Sequence, residues 1–233
     1  WTQELPVTLG LQGWWDMSAS DTTVSNVTDK SGNGHTLIQS ASGYQPSISS
    51  SAQNGLNALQ FTEMTGTTTY NGDFMITTDD MTRTPQQTIF YVGRIVKGTV
   101  HADYNFYIWD SGSGGNHNAF AQFQNNWKIL DGGSGVTSSE TTWSSWRYLT
   151  VQFNGSSTFI RDSGSQTTLS GTLESGNDTT GFTLNGWNGK GSASEKGQYG
   201  ASNIVGEVLI YNSILTSAEI EKVEDYLKSK WGL

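Results

Sequence analysis

Short strand-like runs, some alternating apolar and polar residues with a period of two, recur along this chain, and only its final stretch shifts to a helical rhythm. In NALQF, residues 57–61, Leu59 and Phe61 share one face. TIFYVGRIV, residues 88–96, is richer in the aromatic and β-branched side chains that suit a pleated surface. Shorter runs follow at 104–109, 119–123 and 127–130, separated by segments rich in glycine and asparagine. WRYLTVQFNG, residues 146–155, turns Leu149, Val151 and Phe153 to one side and ends in an Asn-Gly turn. STFI (157–160), FTLNGW (182–187) and VGEVLIY (205–211) complete the series.

After residue 215 the period changes. Thr216 and Glu219 have the spacing of a capping box. Ile220, Val223, Leu227 and Trp231 fall on one helical face, and Glu219, Glu221, Glu224 and Asp225 read as its solvated side. Lys228 and Lys230 suit the negative end of the helix dipole, and Gly232 stands where a helix stops. One amphipathic helix after a long series of strands predicts an all-β fold. The expected form is a two-sheet antiparallel β-sandwich (jelly roll) with one C-terminal α-helix packed on it. No repeat or linker divides the sequence, so residues 1–233 read as a single domain.

Composition narrows the partners. Charged residues make up 14% of the chain, below the usual quarter, while 28 glycines against 3 prolines fit short strands joined by tight turns. The net charge of −9 leaves no basic stripe for displacing counterions from nucleic acid. The same charge disfavours an anionic membrane surface. No window approaches the ~18 apolar residues of a spanning helix, so membrane insertion is not expected. Without cysteine there is no redox signal. The chain opens at Trp1 with no basic or apolar leader, as a mature form or an excised part of a larger protein would.

The stretch TDKSGNGHTL, residues 28–37, invites a functional reading. It is not a phosphate cradle, because the third glycine and the following helix are both missing. Asp29 before two glycines fits an Asx-turn. The alternative is calcium, which takes carboxylate, amide and backbone oxygens, with Asp16, Asp29 and Asn33 as its ligands. Glycosidase chemistry needs two carboxyl groups flanking one bond. The acidic pair Glu219 and Glu221 lies on the helix, and Glu207 has no acidic neighbour two positions on. A pair drawn from distant strands stays open. His101 near Tyr104 and His117 near Asn116 are the formal candidates for a lyase base. No serine-hydrolase elbow and no zinc spacing occur.

Trp187 stands apart from the other indoles. It lies in NGWNGKGSASEKGQYG, residues 185–200, where neighbouring side chains offer little to bury against. Sugars stack on such an indole, and Asn188 and Lys190 beside it are candidate polar partners. Tyr104, Tyr107, Trp109 and Trp127 are further candidates for the face of a sheet, with ordinary packing as the plainer reading for each.

Several segments together resemble a known family. WWDMSASDTTVSNVTDKSGNGH, residues 14–35, resembles the opening of the concanavalin A-like lectin/glucanase domains, the laminin G-like jelly rolls of bacterial and viral proteins. Trp14 or Trp15, Asp16, Ser18 and Asp21 match loosely, whereas Asp29, Ser31, Gly32, Asn33 and Gly34 match closely. NGLNALQF (54–61) is similar to the family's second strand, and WRYLTVQFNGSS (146–157) to a later one, with Phe153 in a tyrosine place. GEVLIYNSILTSAEIEKVEDYLKSKWGL, residues 206–233, is similar to its ending, while residues 95–145 carry no such likeness.

The resemblance implies a two-sheet jelly roll, glycan binding, calcium in some members, and core places for Trp14 or Trp15, Trp146 and Trp231. It does not imply catalysis, since fold does not fix function. The Gln-x-His motif of alginate lyases is missing. The expected function is a non-catalytic carbohydrate-binding module of an extracellular, cell-surface or phage virion protein, joined to other domains of a larger parent. The first alternative is a polysaccharide-degrading hydrolase or lyase on the same fold. The second is a structural or adhesive surface domain without a soluble ligand.

Overall fold

The structure is a computed structural model. It describes residues 4–63, 72–77, 81, 84, 86–96, 105–113, 116–123, 126–132, 134–137, 144–168, 181–187 and 199–233. Its strands, in chain order, begin with β1 (Leu11–Asp16), β2 (Asn26–Val27), β3 (Leu37–Ile38), β4 (Ser47–Gln53), β5 (Leu56–Phe61) and β6 (Met75–Thr77). The middle of the chain forms β7 (Gln87–Val96), β8 (Asn105–Asp110), β9 (Gly112–Ser113), β10 (Asn116–Phe123), β11 (Asn126–Gly132) and β12 (Ser134–Thr137). Then come β13 (Arg147–Phe153), β14 (Phe159–Asp162), β15 (Ser165–Thr168), β16 (Thr183–Leu184), β17 (Ser202–Tyr211) and the helix α1 (Ser217–Trp231).

The strands form two antiparallel sheets. The first has the order β15-β14-β13-β7-β17-β5-β4, with β1 also paired to β17. The second runs β12-β11-β10-β8-β16-β6-β3-β2, with β9 paired to β10. Large apolar side chains fill the space between them. Trp15, Phe61, Tyr91, Phe120, Phe153 and Phe182 are all fully buried there. Trp15 and Phe182 stack at 5.1 Å. The fold class expected from the sequence is the one observed.

The helix makes a second core behind the first sheet. Ile220, Val223, Leu227 and Trp231 pack on Phe90, Val92, Leu209 and Tyr211. The central strands are therefore covered on both faces, and such strands read as near-continuous apolar runs. In β13, Leu149, Val151 and Phe153 point between the sheets, as their alternation predicts. Thr150 and Gln152 on the opposite face are buried as well, beneath the helix side. Asn154 and Gly155 lead into a 3-10 turn, Gly155–Ser157, before β14.

The helix ends behave as expected. Thr216 accepts from the Glu219 backbone N–H, and its own backbone N–H donates to the Glu219 carboxylate at 2.8 Å. Gly232 closes the helix in the left-handed conformation at φ 66°, which glycine adopts without a Cβ clash. The polar face departs from expectation. Glu224, read as solvated, is 3% exposed. It accepts from Thr150 Oγ1 at 2.7 Å and pairs with Arg161 at 3.3 Å. The reason is that β13 and β14 extend under that flank of the helix and supply the partners a buried carboxylate needs.

Candidate functional site

On the second sheet, Tyr107 of β8 and Ala119 and Ala121 of β10 point away from the inter-sheet core. Leu130, Trp187 and Tyr199 pack on them. The two alanines leave room for larger side chains to settle against the strands. Trp187 and Tyr199 lie with ring centroids 6.4 Å apart, and both are half-buried. Each aromatic therefore rests one side on the sheet and keeps part of its surface toward solvent.

The chain is held firmly on both sides of this pair. Asn185 has φ 60° and Tyr199 φ 57°, a region few non-glycine residues occupy. The Asn185 backbone N–H donates to the Ile108 carbonyl at 2.8 Å, and Tyr107 N–H donates to the Tyr199 carbonyl at 2.8 Å. The Asn203 amide donates to Asn185 Oδ1 at 2.6 Å, and Asn185 Nδ2 donates to the Asp73 carbonyl at 2.9 Å. A residue in a sparsely populated conformation persists only where its surroundings fix it, and such residues cluster at ligand sites.

The other sequence candidates are distributed differently. Trp109 does not face outward. It is fully buried between the sheets, stacked on Phe120 at 4.8 Å. The pairing of β8 with β10 shifts register between Phe120 and Ala121, which puts Ile108 and Trp109 both on the core side. Trp127 lies on β11 opposite Gln122, and its side chain is outside the described residues. Tyr104, Asn188 and Lys190 also lie outside them. Tyr199 was not singled out from the sequence, although it shares the Gly/Ser-rich stretch with Trp187.

The N-terminal turn is a staple between the loop and β1. Asp29 Oδ1 accepts from the backbone N–H groups of Trp14 and Ser31, both at 2.9 Å. Its Oδ2 accepts from Ser31 Oγ at 2.7 Å and His35 N–H at 3.0 Å. Asn33 Nδ2 donates to the carbonyls of Leu11 and Gln12. Asp16 binds Ser18 with Oδ1, and Lys30 and Lys230 with Oδ2. The three residues proposed for calcium thus face protein donors and carbonyls, and Asp16 already lies between two ammonium groups. Among the described residues no group of three His, Cys, Asp or Glu side chains gathers around a point. This donor set does not fit a divalent cation. Asp29→Ala is expected to lower stability by on the order of 2–3 kcal/mol, since backbone N–H groups lose their acceptor. The loss should be the same with and without EDTA in a thermal melt; a loss abolished by EDTA would mean that Asp29 acts through an ion.

The structure does bring two distant carboxylates together. Asp16 and Glu207 are cross-strand partners in the β1–β17 pairing, and both touch Lys230 Nζ at 2.8 Å. Glu207 also accepts from the Trp14 indole at 2.7 Å, the Trp231 indole at 2.9 Å and Tyr226 OH at 3.1 Å. Gly206 beside it has no Cβ, and one placed there would lie 2.6 Å from the Trp231 ring. Burial pushes the Glu207 carboxyl above its ordinary range, and Lys230 opposes that. Burial also acts on Asp16, but Lys230, with help from Ser18 and Lys30, outweighs it and holds that carboxyl below its ordinary range.

A carboxylate pair with diverging titration is what a glycosidase uses. Here Glu207 is 0% exposed and Lys230 1% exposed, and the Glu207 oxygens are occupied by protein donors. The cluster locks α1 to β1 and β17.

With the site described, the fold can be compared with solved structures. It is similar to part of a Trypanosoma rangeli sialidase in complex with sialic acid, with a TM-score of 0.64 and 14% identity over 98% of this chain and 34% of the sialidase chain. It is similar to the binding domain of botulinum neurotoxin DC in complex with SialylT, with a TM-score of 0.62 and 11% identity over 95% of this chain and 52% of that one. It is similar to the binding domain of Paraclostridial Mosquitocidal Protein 1, with a TM-score of 0.64 and 16% identity over 96% of this chain and 53% of the other. This chain therefore spans only part of each. At these identities the likeness establishes the β-sandwich fold. No family model and no curated relative matches the chain.

Proposed function

We propose that this chain is a non-catalytic glycan-binding module, of the concanavalin A-like or laminin G-like type, belonging to a larger extracellular protein. The observation that carries the proposal is the Trp187–Tyr199 pair, seated on the outer face of β8, β10 and β11 with its backbone fixed on both sides. A half-buried indole held against a sheet offers one face to the C–H side of a sugar ring. Asn188 and Lys190, next in the chain, are proposed as partners for its hydroxyl groups. Support also comes from the company the fold keeps, since two of the similar structures were solved with sialic acid and with SialylT. The net charge of −9 argues against densely anionic polymers and leaves neutral or weakly charged sugars.

The expected binding is weak and nearly independent of salt, with a Kd of roughly micromolar to millimolar, or about −4 to −8 kcal/mol. A glycan array should return binders among neutral or singly charged oligosaccharides. Loss of one stacking ring is worth about 1–3 kcal/mol by analogy with aromatic–base stacking, so Trp187→Ala should weaken calorimetric affinity about tenfold or more. An array without binders would overturn the reading. So would a Trp187→Ala protein that melts lower yet binds as the wild type does.

A further inference from the structure

The second sheet carries another aromatic pair. Tyr44 is 36% exposed, and among the described residues it is the aromatic that stands out as exposed. Its ring lies 5.7 Å from that of Phe74, which is half-buried. Phe74 immediately precedes β6, where Met75 points into the inter-sheet core, so Phe74 and Ile76 project from the opposite, outer face. That is the face on which Trp187 and Tyr199 sit.

The pair is built rather than incidental. Phe74 N–H donates to the Tyr44 carbonyl at 3.1 Å. The buried Gln39 amide donates to the Phe74 carbonyl at 3.1 Å and accepts from Ala41 N–H at 3.0 Å. Gln45 Nε2 donates to the Gln39 carbonyl at 2.8 Å. The turn that presents Tyr44 is thus fixed before any ligand arrives, which lowers the ordering cost of binding.

Asn185 joins the two aromatic groups. On one side its N–H bonds to Ile108, the neighbour of Tyr107; on the other its side chain bonds to Asp73, the neighbour of Phe74. β16 lies between β8 and β6 in the sheet. Tyr107, on which Trp187 and Tyr199 pack, and Phe74 are therefore two strand spacings apart across the sheet, about 10 Å. One sugar ring does not span that distance, whereas a chain of linked rings does.

We propose that Tyr44 and Phe74 form a second stacking subsite, and that the ligand is a neutral glycan chain lying across the second sheet rather than a single terminal sugar. This inference rests on the glycan-binding reading of Trp187. Calorimetry should be run with ladders from monosaccharide to hexasaccharide prepared from cellulose, β-1,3-glucan, mannan and xylan. Wild-type affinity should rise with chain length in at least one ladder. Tyr44→Ala should cost about tenfold with the hexasaccharide and leave the shortest binding member unaffected. Trp187→Ala should weaken both. Tyr44→Phe, which keeps the ring, should bind as the wild type does, and the exposed position should leave the melts of both Tyr44 variants unchanged. Affinity independent of chain length, or a Tyr44→Ala protein that binds the hexasaccharide normally, would overturn the second subsite and leave the Trp187 platform standing. A wild-type protein that binds no member of any ladder would overturn both.

Discussion

Lys230→Met is expected to destabilise the protein by about 3–5 kcal/mol at neutral pH. Lys230 Nζ lies 2.8 Å from Asp16 Oδ2 and 2.8 Å from Glu207 Oε2, and all three side chains are buried. Removing the ammonium leaves two carboxylates out of water and beside one another. The indoles of Trp14 and Trp231 and the Tyr226 hydroxyl still donate to Glu207, but neutral donors do not balance its charge. The net stability of a domain is only ~5–15 kcal/mol, so the variant should fold with little margin.

The pH dependence separates this account from a simple packing defect. In the wild type the lowered Asp16 favours the folded state above the ordinary aspartate range, and that contribution is lost as pH falls through its folded value. Glu207 is raised, so its contribution runs the other way. It favours folding below the ordinary glutamate range and is lost as pH rises through the raised value. Without Lys230 the Glu207 carboxyl loses the cation that opposes its burial and is pushed further up, while Lys30 still pairs with Asp16, so protonation of Glu207 relieves the variant. The gap between wild type and variant, measured by urea denaturation, should therefore narrow as pH falls from neutrality toward the ordinary glutamate range. A gap below about 1 kcal/mol, or one that does not change with pH, would show that the triad is not what holds this corner together.

The sequence reveals period and capping well, and partnership across the fold poorly. The helix was legible because Thr216, Glu219, Gly232 and the apolar stripe are all local signals. Leu149, Val151 and Phe153 were legible because one register of alternation fixes one face. Glu224 was misplaced on the solvated side, and the ion pairs of Lys230 were not visible, because the groups that receive them, Arg161, Thr150, Asp16 and Glu207, lie on strands far along the chain. The Asp16–Glu207 neighbourhood exists only through the register of β1 on β17. β4 escaped notice for another reason. Its sequence SISSSAQ is mostly polar, because it pairs at the end of the first sheet and none of its seven residues is buried in a core.

The candidate site was half visible. Trp187 stood out as an indole among glycines and serines, and the structure places it against β8 and β10. Trp109 looked equivalent in its run, but a register shift turned it inward, and no residue type in that run announces the shift. Tyr44 and Phe74 are far apart in sequence and meet through one backbone hydrogen bond. Nothing local marks either as part of a surface.

Deleting residues 216–233 is expected to leave a chain without a cooperative fold. Ile220, Val223, Leu227 and Trp231 are each at most 2% exposed, and burying each contributes roughly 1.5–3 kcal/mol. Their sum is comparable with the whole net stability of a domain, ~5–15 kcal/mol. The deletion also acts on what remains. Phe90, Val92, Leu209 and Tyr211 would face water from the middle of the first sheet. Glu207 would lose Lys230, Tyr226 and Trp231 together, and Arg161 would lose Glu224. The half-buried Trp146 would lose the indole it stacks on at 5.5 Å. Strand pairing does not depend on the helix, so far-ultraviolet dichroism should persist in part. Near-ultraviolet dichroism should collapse and the dye ANS should bind, the marks of a compact state without fixed packing. A peptide covering 212–233, added in trans, should restore the near-ultraviolet signal if the missing surface is the cause. A truncated protein with an unchanged cooperative melt would show that the sandwich is self-sufficient and that α1 only decorates it.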